Sequence, residues 1–83
     1  MAPAFSQMPT LGEFIARARQ YGYTKHTIPI PELGMHLVYL RRVRGAALEI
    51  VDLPAMRESD RLTRDAIEDL CHRARIPEED FGL

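Results

Sequence analysis

Four side chains of this 83-residue chain could exchange protons or act as nucleophiles near neutral pH: His26, His36, His72 and Cys71. His36 stands in the run from Met35 to Arg42, whose composition and alternation predict a β-strand. An imidazole on the open face of a sheet, beside cationic side chains, suits a general acid or base that acts near a phosphate. The sequence therefore predicts His36 as a catalytic residue, whereas His26 is interpreted as a structural histidine.

The spacing of these groups does not match a metal site. Cys71 and His72 are adjacent, and adjacent side chains on a helix point about 100° apart, which does not suit one metal ion. The chain also has no C-x-x-C and no H-E-x-x-H motif. We therefore expect no metal and no other cofactor, and we interpret Cys71 as a small apolar core residue.

The side chains that accompany His36 depend on how the first two strands pair. If residues 31–34 form a four-residue hairpin loop, Ile30 lies opposite Met35, and alternate residues point to opposite faces. The more apolar face, which we expect to meet the helices, then comprises His26, Ile28, Ile30, Met35, Leu37 and Tyr39. The face that we expect to be open comprises His36 with Lys25, Thr27, Val38, Leu40 and Arg42. Lys25 and Arg42 are therefore candidate phosphate contacts.

A carboxylate partner for His36 depends on the second hairpin. A three-residue loop at 43–45 places Asp52 opposite His36, where its carboxylate could orient the imidazole. A two-residue loop at 44–45 places Leu53 there instead and turns Asp52 to the other face. Both alternatives remain open from the sequence.

Periodicity and capping residues predict the elements that position these groups. Thr10 and Glu13 have the spacing of a capping box at the start of a helix, and Gly22 can end that helix. Further elements are predicted as strands at 23–31, 35–42 and 46–53 and a helix at 60–75. This order predicts an α+β fold, helix–three-stranded antiparallel sheet–helix, with both helices on one face of the sheet. Residues 1–9 are expected to form a flexible tail, and residues 10–83 a single domain.

Composition and charge exclude several classes of protein. The lone cysteine allows no internal disulfide and favours a reducing, cytoplasmic location. No apolar run approaches the roughly 20 residues of a membrane helix, and the first residues do not resemble a secretory signal. Residues 1–45 carry a formal charge of +4 and residues 46–83 a charge of −5, which leaves −1 for the whole chain. A strongly basic nucleic-acid-binding protein is therefore excluded, although the basic half could meet phosphate.

Four stretches follow one another in an order and spacing known from one protein family. They are residues 20–23 (Gln-Tyr-Gly-Tyr), residues 34–39 (Gly-Met-His-Leu-Val-Tyr), residues 50–54 (Ile-Val-Asp-Leu-Pro) and residues 66–76 of the last helix. The second stretch resembles the Gly-Ser-His segment of the HicA-like toxins, small ribonucleases with a double-stranded-RNA-binding-like fold. The other three are similar to that family's first helix end, third strand and closing helix, so the resemblance covers residues 11–81.

The resemblance implies an mRNA endoribonuclease that needs no metal and is neutralised by an antitoxin-type protein. His36 matches the family's catalytic histidine and would help a ribose 2′-OH attack the adjacent phosphodiester, with Lys25 and Arg42 as RNA contacts. The alternative is a non-catalytic binding or regulatory module of the same fold that interacts with a protein partner. A third hypothesis is a dimerising protein that buries the face of the sheet expected to be open.

Overall fold

The computed structural model describes residues 7–83, and it confirms the predicted order of helix, three strands and helix. Its regular elements are α1 (Leu11–Gln20), β1 (Thr24–Ile30), β2 (Met35–Arg44), β3 (Ala47–Asp52) and α2 (Arg64–Ala74). Short 3₁₀ turns occupy Pro31–Leu33 and Glu78–Phe81. The strands form one antiparallel sheet in the order β1-β2-β3. No helix within residues 7–83 has the length and apolar character needed to span a membrane.

Both helices begin at threonine caps. Thr10 accepts a hydrogen bond from the Glu13 N–H at 3.1 Å, and the Thr10 N–H donates to the Glu13 carboxylate at 2.9 Å. This is the capping box expected from the sequence. Thr63 accepts from the Ala66 N–H at 3.2 Å, so α2 begins four residues later than predicted. Before it, residues 58–60 form a turn and a bend, and Arg61 forms a β-bridge with Thr10 in which the Leu62 N–H donates to the carbonyl of Pro9.

The first hairpin has the predicted register, whereas the second has neither of the two that were weighed. Ile30 pairs with Met35, as expected. In the second hairpin Arg44 pairs with Ala47, so the loop consists of residues 45–46. Gly45 takes a positive φ of 63° at the first loop position, where primed hairpin turns require one. Asp52 consequently lies opposite Tyr39.

The helices cover the face of the sheet that the sequence analysis expected to be open. Leu40 and Val51 lie on that face and are fully buried beneath the helices. The reason is Tyr23, whose side chain is buried and whose hydroxyl donates to the carbonyl of Ala74 at 3.0 Å. Because side chains alternate along a strand, inward packing of Tyr23 places Lys25 on the helix side and His26 on the opposite side. The prediction that the more apolar face meets the helices is therefore wrong.

The core lies between the two helices and the centre of the sheet. Phe14 is fully buried, and the ring of Phe81 stacks on it with centroids 5.6 Å apart. Cys71 is buried in this core, as predicted. Met8 is also buried, so the ordered domain reaches at least two residues beyond the boundary expected at residue 10. The rest of the predicted tail, residues 1–6, lies outside the described residues.

Candidate functional site

The face of the sheet that points away from the helices, called the open face below, is rich in exposed apolar side chains. The exposed fractions are 65% for Val43, 54% for Leu48 and Ile50, 50% for Leu37, 48% for Ile28 and 36% for Met35. Single exposed apolar residues are common on proteins, whereas six large ones on one face of a small sheet make this face a candidate site.

The strand register arranges the open face in rows across the sheet. Apolar rows occupy both ends: Ile30 beside Met35 and Ile28 beside Leu37 at one end, and Val43 beside Leu48 at the other. Two rows between them contain the polar groups of the face, namely His26, Tyr39 and Asp52 in one row and Thr24, Arg41 and Ile50 in the next. The open face therefore has a polar centre between two apolar ends.

Stacking and hydrogen bonding order part of the polar centre. The rings of His26 and Tyr39 stack with centroids 5.3 Å apart, and Nε2 of His26 lies 2.8 Å from the hydroxyl of Thr24. Arg41 and Asp52 have no ion-pair partner among residues 7–83. The centre of the open face thus presents a guanidinium and a carboxylate that form no ion pair within residues 7–83.

His36 lies on the other side of the sheet, at the start of β2. Its side chain is exposed. It lines a shallow groove with Val38 and the segment 53–56, which is mainly apolar. Within residues 7–83 His36 has no hydrogen-bond or ion-pair partner. The imidazole is therefore accessible, without a neighbouring group that would orient it.

The expected pairing of His36 with Asp52 does not form. Asp52 lies opposite Tyr39, so its side chain projects from the open face, whereas that of His36 projects from the helix side. The position across from His36 in this register is residue 55, beyond the end of β3. Asp52 is thus placed to contact a molecule on the open face, and it cannot orient His36.

Lys25 and Arg42, the predicted phosphate contacts, are both engaged within the fold. The Lys25 Nζ lies 2.7 Å from Glu58. The Arg42 guanidinium donates two hydrogen bonds to the Glu49 carboxylate, each of 3.1 Å, and a third of 3.0 Å to the carbonyl of Tyr21. Only 10% of the Arg42 side chain is exposed. The structure therefore uses Arg42 to join the end of α1 to the hairpin of β2 and β3.

The positive charge of Arg42 is balanced by neighbouring groups within the fold. Its guanidinium lies over the ring of Tyr23, 4.4 Å from the centroid, in a cation–π contact. The hydrogen bonds from Arg42 hold the pKa of the Glu49 carboxyl below its usual value, and the same bonds raise the pKa of Arg42. Arg75 adds a weaker attraction, with its Nε 3.9 Å from Glu49. Charge at this position is already neutralised, so it does not attract an external anion.

The remaining chemical groups give no further site among residues 7–83. Burial raises the pKa of the Cys71 thiol to about 11, so the thiolate that a nucleophile requires is scarce near neutral pH. His72 is exposed in the last turn of α2. No three His, Cys, Asp or Glu side chains of this part of the chain are grouped as they would be around a metal ion.

Sequence reasoning missed the open face because it assigned those residues to the core. One signal could have identified it. Tyr23 continues the alternation of β1 by one residue, and its burial determines the orientation of the whole strand.

Comparison of the chain with protein-family models, with curated proteins and with solved structures found no match. Functional inference therefore rests on the geometry of residues 7–83, and above all on the open face and on His36.

Proposed function

We propose that this chain is a small protein-binding module whose binding surface is the open face of its sheet. The observation that carries the proposal is the exposure of six large apolar side chains, between 36% and 65%, on one continuous surface. Hydrating such a surface is unfavourable, and covering it with a partner removes that cost. The proposal corresponds to the non-catalytic alternative of the sequence analysis.

The chemistry of the open face favours protein over nucleic acid as its partner. Nucleic-acid surfaces combine several arginines or lysines with aromatic rings that stack on bases. The open face has one arginine, Arg41, opposed by one carboxylate, Asp52, and its exposed apolar side chains are mainly aliphatic. A protein surface with apolar side chains and a balanced polar centre is the better complement.

We further propose that the module acts in the cytoplasm. The support is its single cysteine, which is buried and unpaired, as in proteins of reducing compartments.

A pair of leucine substitutions tests the binding surface. Leu37 lies in the middle of an apolar end, whereas Leu33 is more exposed, at 68%, but lies in the turn between β1 and β2. We expect Leu37→Glu to abolish capture of protein partners by the immobilised chain in a quantitative proteomic comparison. Leu33→Glu, the matched control, should capture the same partners as the wild type. Equal capture by wild type and Leu37→Glu would contradict a role of the open face in binding.

An RNA-directed endoribonuclease is the second candidate, and the exposed His36 is the observation that favours it. In this hypothesis the imidazole acts as general acid or base on RNA bound in the neighbouring groove. Purified wild type should then cleave single-stranded RNA in the presence of EDTA, and His36→Gln should be inactive. RNA that stays intact with both proteins would exclude this function and leave the binding module.

A further inference from the structure

We infer that the partner on the open face is a second copy of this chain, related by a two-fold axis that crosses the strands at the middle of β2. This inference rests on the proposed function, because it names the occupant of the same surface. Such an axis reverses the strand direction, so that β2 of one copy lies antiparallel over β2 of the other. The two sheets then pack face to face, as in an aligned sandwich.

The charges of the open face are placed reciprocally about this axis. Tyr39 and Arg41 lie on either side of Leu40, close to the midpoint of β2. Rotation about an axis at this midpoint exchanges their positions, so Arg41 of one copy meets Tyr39 of the other. Asp52 is the neighbour of Tyr39 on β3, so the same Arg41 also comes within reach of Asp52 of the other copy. The contact occurs twice, which is the self-complementarity that a two-fold interface requires.

Apolar side chains from the two ends of the face also meet across this axis. The same rotation exchanges Leu37 with Val43, so Leu37 of one copy lies over Val43 of the other. The axis keeps β1 over β1 and β3 over β3, so Ile28 of the first copy and Leu48 of the second flank this contact on opposite sides. No like charges are brought into direct opposition, because the only arginine of the face meets an aromatic ring and a carboxylate. A partner with an unrelated sequence would have to provide this pattern independently.

Oligomeric state tests whether a dimer forms on this face. Sedimentation velocity of the wild type at about 100 μM should give a mass of twice 9.5 kDa. Leu37→Glu and Val43→Lys each change an exposed residue at a different end of the face, and both should sediment as folded monomers with unchanged circular dichroism. Leu33→Glu, outside the face, should remain a dimer. A monomeric wild type, or a dimer that persists in both face variants, would overturn the inference.

Charge reversal tests the proposed symmetry. Arg41→Asp leaves two carboxylates at the centre of the face, and Asp52→Arg leaves two guanidiniums, so each variant alone should dimerise at least about 10-fold more weakly. An equimolar mixture places opposite charges across the axis in a mixed dimer, and its affinity should return to near the wild-type value. If mixing fails to restore dimerisation, or if neither variant alone is weakened, the proposed axis is wrong.

These outcomes are separable from those of the proposed function. A wild type that is monomeric, but that captures another protein through Leu37, removes the second copy as occupant and retains the binding module. A dimer that depends on Leu37 and is restored by the charge-reversed mixture supports both proposals. Failure of the open-face variants to affect either self-association or capture removes both.

Discussion

Arg42→Met separates a structural arginine from an RNA contact. The guanidinium donates two hydrogen bonds to the Glu49 carboxylate and one to the Tyr21 carbonyl, and it stacks on Tyr23. Methionine retains most of the aliphatic packing but removes every one of these contacts. Hydrogen bonds that involve charged groups contribute more than neutral ones, and this side chain is only 10% exposed. We expect the free energy of unfolding to fall by about 2 to 3 kcal/mol.

Thermal unfolding followed by circular dichroism measures this effect. For a domain of this size, 1 kcal/mol corresponds to about 4–8 °C, so Arg42→Met should lower Tm by roughly 10–20 °C. Arg19→Met is the control, because Arg19 is exposed on α1 and its loss should change the stability by less than about 0.5 kcal/mol. A decrease in Tm below about 3 °C for Arg42→Met would show that the Arg42 contacts contribute less than 1 kcal/mol, since a loss of 1 kcal/mol alone lowers Tm by more than that.

The pH dependence of stability supplies a second readout of the same group. The hydrogen bonds from Arg42 depress the pKa of the Glu49 carboxyl in the folded protein relative to its usual 4.5. The contribution of the pair is therefore fully present above pH 4.5 and is lost as pH falls through the folded pKa. Acidification from pH 6 to pH 3 should destabilise the wild type more than Arg42→Met. Parallel pH profiles of the two proteins would show that Glu49 gains nothing from Arg42.

Two further predictions concern the core. Tyr23→Phe removes the hydroxyl that donates to the Ala74 carbonyl. The free energy of unfolding should fall by about 1 kcal/mol, measured as a Tm lower by about 4–8 °C. An unchanged Tm would show that this hydrogen bond does not hold β1 against α2. Cys71 is buried with its pKa raised to about 11, so a thiol reagent at pH 8 should label it fully in guanidinium chloride but negligibly in the native protein; complete labelling of the native protein within seconds would contradict its burial.

Local chemistry explains which parts of the structure could be predicted from sequence. The capping box at Thr10 and the loop that ends at Gly34 depend on residues three or four positions apart, so the first helix and the first hairpin register were predicted correctly. The second hairpin was not, because either Arg44-Gly45 or Gly45-Ala46 can form a two-residue loop with a glycine at a positive φ. The observed pairing of β3 is shifted by two residues from the register predicted for a loop at 44–45, and Asp52 therefore lies opposite Tyr39.

The candidate site was harder to predict because its parts are set by packing. His36 was correctly placed at the start of β2, but its expected neighbours depended on registers and faces. Arg42 was interpreted as a surface cation because its neighbours in the fold, Tyr21, Tyr23 and Glu49, are between 7 and 21 positions away in sequence. Only the folded structure shows that these groups neutralise and cover it.

The element order, the α+β architecture and the alternation of each strand could be predicted, because they follow from periodicity and capping over short distances. Which face of the sheet meets the helices depends instead on packing between residues far apart in the chain. Alternation distinguishes the two faces but does not determine which of them meets the helices. The inward packing of Tyr23 against α2 determines it. The same choice leaves Leu37, Val43 and Ile50 exposed to solvent, and so creates the surface from which a function is inferred.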